Sequence, residues 1–347
     1  MKYTNNALVS IIILNYNAGQ LLLECIKSVL ETDYENFEVI VVDNASKDDS
    51  IDKCRKEFKD IQIIENKDNL GYCEGNNVGI KRAEGQFIVI LNPDTIVESS
   101  WLRELIKGYE IFGDGMYQPR FLTTNNHKIL QGTGNMINLF GFGFARNKGD
   151  TDEGQFRKPE RIGYASGTCL FTSKEIMNRL EMFDSFLFAY HDDLDLCWRA
   201  ALENIKSYYI PSSIVYHPRE GYTFKWNSLK FYLLERNRQY CLLTHYARGT
   251  YLKMIPALTM IEIGVCFYYL KKGVLLSKFK ATLSILKNFK HINSRYREIQ
   301  NKRLISDREL IKIFEDDIII PKMMDSKNNE SLGNFIKKLS QFTRKFL

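Results

Sequence analysis

The sequence predicts an α/β fold: a mixed, mainly parallel β-sheet flanked by helices and followed by a helical C-terminal region. Continuous apolar, β-branched runs recur through the first hundred residues, and segments with helical spacing of apolar side chains separate them. Strands that alternate with helices favour right-handed βαβ units and a parallel sheet. After about residue 224 the apolar spacing is helical to the end. We therefore expect an α/β domain over residues 1–223 and a helical region over residues 224–347.

The predicted strands of the first hundred residues lack polar alternation, which is typical of strands buried on both faces. They are the runs Leu8 to Leu14, Phe37 to Val42, Ile61 to Ile64 and Phe87 to Leu91. Further elements are predicted as strands at Tyr164 to Thr172, Ser207 to Ile210 and Ser213 to Tyr216, and as a helix at Asp192 to Glu203. The segment 113–162 is rich in Gly and Asn, and its pattern assigns no strand there.

The bulk composition excludes several classes of protein. The chain has 347 residues, of which 44% are hydrophobic and 26% charged, so extensive disorder is not expected. Its seven cysteines are scattered and form no CxxC pair. A disulfide framework or a zinc site is therefore not expected, and a reducing cytoplasm fits best. The apolar run near the start is short and lacks a cleavage site, so no secretory signal is predicted.

Positive charge is concentrated in one stretch near the C-terminus. Residues 1–270 carry 30 basic and 34 acidic side chains, a net charge of −4, whereas residues 271–303 carry 10 basic and 1 acidic, a net charge of +9. Such a local excess favours an anionic partner, either a membrane or a nucleic acid. Because no zinc, RRM or helix-turn-helix pattern accompanies the charge, nucleic acid is not the expected partner.

Polar residues follow the predicted strands directly. They are Asn15-Tyr16-Asn17, Asp43-Asn44, Asn92-Pro93-Asp94, and, after the third strand, Glu65-Asn66 and Asn69. Open α/β sheets bind ligands at the carboxyl ends of their strands, so these loops predict a ligand site. The alternative is ordinary turn chemistry, since Asn, Asp and Pro favour turns. The sequence has no GxxxxGK[ST] and no GxGxxG after the first strand, which excludes a P-loop and argues against a dinucleotide site.

Six motifs in order over residues 8–220 resemble the inverting family 2 glycosyltransferases of the GT-A fold. They are VSIIILNYN (9–17), VVDNASKDDS (41–50), NLGYCEGNNVGI (69–80), ILNPDT (90–95), FAYHDDLDLCWR (188–199) and VYH (215–217). Within that family, NPD, SGTCLF and DDLDLCWR look most similar to the rhamnosyltransferase-like and galactofuranosyltransferase-like branches. The resemblance implies transfer of a sugar from a nucleotide-diphosphate donor with inversion.

The residues expected to bind the donor lie in the first four motifs. Asp43 can accept hydrogen bonds from a uracil or thymine N–H or a ribose hydroxyl, and its alternative role is an N-cap or Asx-turn. The glycines between Asn69 and Gly79 let backbone approach a phosphate at a helix N-terminus, unless they only form a turn with a solvated basic face at Lys81 and Arg82. The full predicted set is Asn15, Tyr16, Asp43, Asn69, Gly71, Asn76, Asn92 and Asp94.

A divalent cation, Mg²⁺ or Mn²⁺, is the predicted cofactor because the charge of a leaving diphosphate must be neutralised. Asn92-Pro93-Asp94 stands where the family has its DxD metal motif, with Asn in place of the first Asp, so ligation is expected from Asp94 and not directly from Asn92. The resemblance adds His217 as a second ligand. The alternatives are a plain turn at residues 92–94 and a structural histidine.

The resemblance places the family's acidic pair on Asp192 and Asp193, at the start of a predicted helix, with Asp193 as the catalytic base and Asp192 as the second candidate. Acidic residues in a first helical turn are common because they offset the helix dipole, which is the alternative. Asp195 and Arg199 are spaced for an i,i+4 ion pair and are expected to form one.

The C-terminal region is predicted to bind the cytoplasmic face of a membrane peripherally. Met254 to Leu270 is apolar but holds only 17 residues, with Pro256 and Glu262 inside, so an interfacial or re-entrant helix is expected in preference to a span. The run 271–303 and the segment 334–347 place Leu and Phe among Lys and Arg, as amphipathic helices at anionic membranes do. The alternative is a basic helical subdomain that packs on the rest of the chain or on a partner.

The predicted function is transfer of a sugar from a UDP- or dTDP-linked donor to a hydroxyl of a glycan or lipid-linked acceptor, in cell-surface polysaccharide or glycoconjugate assembly. The competing hypothesis is a degenerate GT-A domain that serves as a binding scaffold at the membrane. Asn92 in place of an aspartate favours that hypothesis, whereas the presence of Asp94, Asp193 and His217 argues against it.

Overall fold

The computed structural model describes residues 6–218, 227–318 and 326–347, the last range without the side chains of residues 326–332. The chain forms two compact units. The first comprises Met1–Asn135, Ala145–Cys197 and Ile205–Phe224, and the second comprises Met136–Phe144, Trp198–Asn204 and Lys225–Leu347. The second unit thus includes two segments that precede residue 224, and the predicted domain boundary at that residue stays a prediction.

The strands and helices of the described residues alternate in the first half of the chain, and helices follow one another in the second. The strands are β1 (Val9–Asn15), β2 (Phe37–Asp43), β3 (Gln62–Glu65), β4 (Phe87–Leu91), β5 (Ile96–Val97), β6 (Gly115–Thr123), β7 (Asn126–Gly132), β8 (Asn135–Ile137), β9 (Gly143–Ala145), β10 (Glu160–Ile162), β11 (Cys169–Ser173) and β12 (Lys206–His217). The α-helices are α1 (Gln20–Leu30), α2 (Ser50–Glu57), α3 (Gly71–Arg82), α4 (Trp101–Phe112), α5 (Lys174–Arg179), α6 (Asp192–Leu202), α7 (Ser228–His245), α8 (Arg248–Lys271), α9 (Leu275–Lys287), α10 (Phe289–Lys302), α11 (Asp307–Leu310) and α12 (Ser326–Arg344).

The main sheet has the strand order β10-β12-β6-β11-β4-β1-β2-β3, with β5 paired to β12 and β7 paired to β6. Pairing is parallel from β3 through β2 and β1 to β4, and again between β6 and β12. The strand β11 lies between these two parallel groups and pairs antiparallel with β4 on one side and with β6 on the other. The mixed α/β fold and the C-terminal helices are therefore confirmed, while parallel pairing dominates only in the N-terminal half of the sheet.

Three segments differ from the sequence-based expectation. The strand predicted at Tyr164 to Thr172 begins only at Cys169, as β11 (Cys169–Ser173). The Gly- and Asn-rich segment 113–162 contains β6 to β10. Of these, β6 and β10 pair with β12, far along the chain, whereas β7 pairs with β6 and β8 pairs with β9. The two short strands predicted at residues 207–210 and 213–216 are one strand, β12, which shifts its register against β6 between Ile210 and Ile214. Pro211 lies at that shift, and because proline cannot donate a ladder hydrogen bond, the strand tolerates it only at such an irregularity.

Helices cover both faces of the parallel strands. Alternate residues of β1, such as Ile11 and Ile13, belong to a buried core with apolar side chains of α1, α2 and α4, including Trp101. The opposite face of the sheet carries α3, which approaches so closely that a Cβ on Gly79 would lie 2.5 Å from Ile12 Cγ2. Glycine at this position is what lets α3 rest on the sheet. The N-terminus of α3 is thereby fixed beside the carboxyl ends of β1 and β2.

Four charged side chains from three helices form one ion group in the second unit; three are buried, and the fourth, Glu262, is 33% exposed. Arg238 and Glu235 of α7 pair with each other at 2.8 Å, and Arg238 also contacts Glu262 of α8. Lys278 of α9 contacts both carboxylates. Burial alone would raise the pKa of Glu235, but the charges of Arg238 and Lys278 outweigh burial and lower it to about 2. The four charges cancel, so the three buried charges belong to a neutral group.

Candidate active site

The carboxyl ends of the first strands meet through aligned residues. The parallel register places Asn15 beside Asp43, and Asp43 beside Glu65. Asn15 is fully buried, and its Nδ2 lies 2.8 Å from Asp43 Oδ1, 3.0 Å from Ser46 Oγ and 2.9 Å from Ser50 Oγ. The structure therefore brings together Asn15 and Asp43, as the positions of the polar loops predicted.

Asp43 is hydrogen-bonded to the loop that follows it, at the third residue on and not at the second as in an Asx-turn. Its Oδ2 accepts a hydrogen bond from the backbone N–H of Ser46 at 3.0 Å, and its Oδ1 accepts one from Ser46 Oγ at 2.5 Å. It does not cap a helix, since α2 begins at Ser50. These bonds hold the carboxylate at the edge of the sheet. Among the described residues, Oδ2 accepts a hydrogen bond only from the N–H of Ser46, so it can also accept a hydrogen bond from a ligand.

The loops after β2 and β3 are joined to the start of α3 by an asparagine that the sequence did not single out. Asn44 Nδ2 donates to the carbonyl of Gly71 at 2.8 Å and lies 3.3 Å from Asn69 Oδ1. Asn69 Oδ1 also accepts from the backbone N–H of Gly71 at 2.9 Å. Gly71 has a φ of 79°, in the region that favours glycine. These bonds fix the N-terminus of α3, where a phosphate would be expected.

The other residues predicted to bind the donor lie in different surroundings. Tyr16 follows β1 with its ring partly exposed, at 37%, so a flat ligand can reach it. Asn76 is fully buried inside α3, where its Nδ2 donates to the carbonyl of Tyr72. Lys81 lies in the last turn of α3 and pairs with Glu74, so this positive charge stands at the opposite end of the helix from Gly71.

Asp94 and His217 converge although 123 positions separate them in the sequence. Asp94 is buried in the loop after β4, and His217 is the last residue of β12; His217 Nε2 lies 3.4 Å from Asp94 Oδ1. Gln131, another residue that the sequence did not reveal, lies on the far side of the imidazole, with its Nε2 3.3 Å from His217 Nδ1 and donating to the carbonyl of Pro218. Gln131 thereby orients the ring with Nε2 toward Asp94.

This pair fits a hard divalent cation as part of a larger ligand set. A carboxylate oxygen and an imidazole nitrogen are both donors that Mn²⁺ accepts, and Mg²⁺ prefers the oxygen. Two protein donors leave room for diphosphate oxygens and water, which is how Mg²⁺ is usually bound beside a nucleotide. Asn92 takes part in this loop through its backbone, whose carbonyl accepts from Thr95 Oγ1 at 2.7 Å and whose N–H donates to Thr168.

Two adjacent carboxylates occupy the start of α6. Asp193 Oδ2 accepts a hydrogen bond from the backbone N–H of Gly167 at 3.0 Å, and Oδ1 accepts from the N–H of Leu194 at 2.8 Å. Burial raises the pKa of Asp193, and these two N–H groups offset part of that effect. Burial also raises the pKa of Asp192, and the neighbouring charge of Asp193 raises it further. Of the two, Asp193 is therefore the carboxylate held more readily in its ionised form.

The backbone before α6 is strained. Phe188, Tyr190 and His191 all have φ values between 60° and 65°, which non-glycine residues rarely adopt. The turn is held against α3, because the N–H of Cys73 donates to the carbonyl of Phe188 at 3.1 Å, and a Cβ on Gly71 would lie 2.6 Å from that same oxygen. Strained residues of this kind cluster at functional sites.

A short segment, residues 166–168, connects the three groups of side chains. Thr168 accepts from the backbone N–H of Asn92, next to the Asp94–His217 pair. Gly167 donates to Asp193, and its carbonyl accepts from Tyr72 Oη of α3 at 2.7 Å. A Cβ on Gly167 would meet that hydroxyl at 2.7 Å, so only glycine fits. The Asp94–His217 pair, the acidic pair and the start of α3 therefore surround one region at the carboxyl edge of the sheet.

Known proteins are similar to this chain in sequence or in fold. Residues 10–180 match the family model described as "Glycosyl transferase family 2". The hexosyltransferase Agl10 of low-salt glycan biosynthesis from Haloferax volcanii is 26% identical over 239 residues, which are 66% of this chain and 74% of that protein. WfaP of Escherichia coli, a UDP-Glc:alpha-D-GlcNAc-diphosphoundecaprenol beta-1,3-glucosyltransferase, is 40% identical over 91 residues, 25% of this chain and only 35% of WfaP.

Among solved structures, GalNAc-T7 with UDP, GalNAc and Mn²⁺ superimposes with a TM-score of 0.60 at 15% sequence identity, covering 73% of this chain and 51% of that chain. At this identity the likeness shows the fold alone. The family match ends at residue 180, before Asp192, Asp193 and His217. The roles of those three residues therefore stay predictions, whereas the domain itself is established: this chain carries a glycosyltransferase domain of family 2, in the GT-A fold.

Proposed function

We propose that the protein is an inverting glycosyltransferase that moves a sugar from a UDP- or dTDP-linked donor to a hydroxyl of a glycan or lipid-linked acceptor. The observation that carries the proposal is the convergence of the Asp94–His217 pair with the acidic pair at α6, through residues 166–168. One set of donors suits a diphosphate-bound cation and the other suits proton removal. A transferase that uses a single displacement needs both.

The donor nucleotide is assigned to the loops after β1 and β2. Asp43 has an oxygen able to accept from a uracil or thymine N–H, and Tyr16 offers an exposed aromatic face to the base. The diphosphate would lie at the N-terminus of α3, where Gly71 lets backbone approach and the helix dipole favours anions. WfaP, a relative, uses UDP-glucose by its name, which supports a uridine donor.

Asp94 and His217 are the residues that would hold the cation, Mg²⁺ or Mn²⁺. When bound, the cation would neutralise charge on the departing diphosphate. Gln131 keeps the His217 ring in place, and burial of Asp94 keeps its carboxylate from turning to solvent. GalNAc-T7, a structure of the same fold, contains Mn²⁺ by its title, which supports this assignment.

Asp193 is the proposed base. The acceptor hydroxyl must lose its proton as it attacks the anomeric carbon, and a carboxylate in reach can take it. The N–H groups of Gly167 and Leu194 hold Asp193 in one orientation, and burial raises its pKa, which makes it a stronger base than an exposed aspartate. No covalent nucleophile is required, so the sugar is expected to invert.

The acceptor and the setting are inferred from relatives. WfaP acts, by its name, on a sugar linked to diphosphoundecaprenol, and Agl10 acts in glycan biosynthesis. We infer that this protein works on a glycan or lipid-linked acceptor at the cytoplasmic face of a membrane, in cell-surface glycan assembly. A rhamnosyl or galactofuranosyl donor is the finer expectation from the NPD and DDLDLCWR motifs.

The test is donor turnover by the full chain with a panel of UDP- and dTDP-sugars and Mg²⁺ or Mn²⁺. We expect Asp193→Asn to keep donor affinity while transfer falls by at least about 100-fold, since general base catalysis typically contributes that much. Asp94→Ala should remove cation-dependent turnover and weaken Mn²⁺ binding measured by calorimetry. Proton NMR of the product should show inversion at the anomeric carbon.

The matched control is Asp52→Asn, which changes an exposed carboxylate of α2 and should alter neither activity nor binding. Near wild-type transfer by Asp193→Asn together with loss in Asp192→Asn would move the base by one residue. A wild-type chain that binds a nucleotide sugar but never turns it over, with any cation and acceptor, would instead support the scaffold hypothesis.

A further inference from the structure

The helix α9 presents a line of large apolar side chains to solvent. Leu276, Phe279, Leu283 and Leu286 recur at three- and four-residue spacing, and each is at least half exposed. The opposite side of the same helix is buried, through Ser277, Lys278, Ala281 and Ile285. An apolar line of this length on a soluble surface marks an interaction site.

The helix α8 has a similar outward side. Its exposed residues return every three or four positions, as one side of a helix does, and they are mostly apolar. The apolar ones that are at least 40% exposed are Leu252, Ile255, Met260, Ile263, Phe267 and Leu270. We call these residues and the α9 line, taken together, the outer apolar residues of α8 and α9. A turn at residues 272–274 joins the two helices.

Charge identifies the partner. Residues 248–297 hold 10 basic side chains and one acidic one, Glu262. Lys280, Lys287 and Lys290 are exposed beside the apolar line of α9. An apolar side rimmed by lysines matches the boundary between acyl chains and anionic headgroups. A second copy of this chain is a poorer partner, because two such basic surfaces would repel each other.

The single acidic residue is turned away from this surface. Glu262 contacts Arg238 of α7 and Lys278 of α9 inside the second unit. Its charge is therefore balanced within the protein, and the exposed residues of α8 are apolar, basic or uncharged. The same contacts bear on whether α8 crosses a bilayer, which its length and composition alone would permit.

Crossing would require α8 to leave the second unit. Met254, Ala257, Leu258 and Ile261 pack inward, and Glu262 would enter hydrocarbon without its two cationic partners. Arg238 and Lys278 would then stay behind with only Glu235 to balance them. Breaking a buried ion group in this way is strongly unfavourable, so the helix is fixed to the protein on one side.

We propose that α8 and α9 bind side-on to an anionic lipid bilayer through their outer apolar residues and the flanking lysines, without spanning it. This deepens the proposed function by naming the surface that would bring a family 2 glycosyltransferase to a lipid-linked acceptor. Membrane binding is measured without donor or acceptor, so this inference and the proposed activity can fail separately.

The first test is sedimentation of the full chain with vesicles of phosphatidylcholine alone or mixed with phosphatidylglycerol. We expect binding to the anionic vesicles that weakens with salt. Lys280→Gln/Lys287→Gln/Lys290→Gln should weaken it on the order of 100-fold, about fivefold per lysine. The control Lys56→Gln/Lys59→Gln/Lys107→Gln changes the net charge equally on the first unit and should bind as wild type.

The contribution of the apolar side chains to membrane binding is tested with the variant Phe279→Ser/Leu283→Ser/Leu286→Ser. Its control is Leu30→Ser/Ile111→Ser, which changes exposed apolar residues of α1 and α4. Only the first variant should lose vesicle binding, and both should keep the wild-type melting temperature. Equal binding by both lysine variants, or by both serine variants, would overturn the proposal.

The side-on geometry has its own test. Protein bound to vesicles should be released by alkaline carbonate, and brominated lipids should quench Trp introduced by Leu283→Trp most strongly when bromine lies near the headgroups. Retention after carbonate extraction would show that α8 spans the bilayer and would refute the side-on arrangement.

Discussion

At the scale of single residues, the site depends on two neighbouring carboxylates that are kept different. Asp193 accepts two backbone N–H bonds, from Gly167 and Leu194, whereas the ionised form of Asp192 is opposed both by burial and by the charge of Asp193. Three tyrosines, Tyr72, Tyr164 and Tyr190, lie close to the pair. Burial raises the pKa of each hydroxyl, and the charge of Asp192 raises it further.

This difference predicts a pH-dependent gain in stability for Asp192→Asn. The pKa of Asp192 is higher in the folded protein than in the unfolded chain. The wild-type protein is therefore most stable at a pH below the pKa of Asp192 in the unfolded chain, and it loses stability as the pH rises through the pKa of Asp192 in the folded protein. Asparagine keeps the shape and can accept the same backbone hydrogen bonds without a charge. We expect thermal melts to show the variant above wild type at pH 8, with the gap closing toward pH 4.

Asp52→Asn serves as the control for that measurement, because Asp52 is an exposed carboxylate of α2. Its melting temperature should follow wild type at every pH. A gap between Asp192→Asn and wild type that widens toward acid would show that Asp192 is stabilised as a carboxylate in the fold, contrary to the direction of its pKa shift.

Some residues of the site are readable from sequence and others are not. Asn15 and Asp43 follow buried runs that pair in parallel, so their meeting follows from the register. Gln131 touches His217 from β7, whose place beside β6 depends on pairings that no local pattern shows. Gly167 lies in the SGTCLF segment, which carries the family resemblance, but its contact with Asp193 depends on the fold and no local pattern shows it.

At the scale of elements, the position of α3 decides the geometry of the donor site. The helix carries Gly75 and Gly79 on the side that meets the sheet, where a Cβ would lie 2.6 Å from Leu14 Cδ1 and 2.5 Å from Ile12 Cγ2 respectively. The glycines of this segment make it resemble a phosphate-binding loop, but Gly75 and Gly79 serve to pack the helix on the sheet. Only Gly71, at the N-terminus, has the positive φ of a turn.

A matched pair of substitutions tests this reading of α3. Gly79→Ala forces a methyl into a contact that is too short and should lower the free energy of unfolding by about 1–3 kcal/mol. Gly264→Ala places the same methyl in open space on α8 and should raise stability by about 0.5–1 kcal/mol, because alanine is the better helix former. Urea unfolding curves of the two variants check both signs, and equal effects would refute the packing role.

Elements were predictable where burial is continuous and local. β4 has the predicted bounds, and β1 and β2 are each within one residue of theirs, because their β-branched runs are buried on both faces. The segment 113–162 escaped prediction because β6 carries Gly, Gln, Pro and Arg that are buried only through distant partners. Arg120, for example, is fully buried and pairs with Asp152.

At the scale of the whole molecule, the second unit is assembled from segments far apart in sequence. Residues 136–144 belong to it together with the C-terminal helices. Tyr246 Oη donates to the carbonyl of Leu139 at 2.8 Å, and Asn138 Nδ2 donates to the carbonyl of Asp316 at 3.0 Å. The C-terminal helices are therefore part of a folded body that includes residues 136–144, and sequence spacing alone could not show which segments they contact.

The last prediction concerns removal of those helices. A chain ending at Thr250 lacks Glu262 and Lys278, so Arg238 and Glu235 of α7 lose partners on both sides of the buried group. Breaking one such pair costs about 3–5 kcal/mol, a large share of the ~5–15 kcal/mol that stabilises a domain. We expect this truncated chain to aggregate or to melt well below the full chain, as measured by light scattering and circular dichroism. The matched control is a chain ending at Lys345, which keeps every member of the ion group and Arg344, the partner of Asp316, and should melt close to full length. A soluble, fully stable chain ending at Thr250 would show instead that the helices after α7 are a detachable appendage.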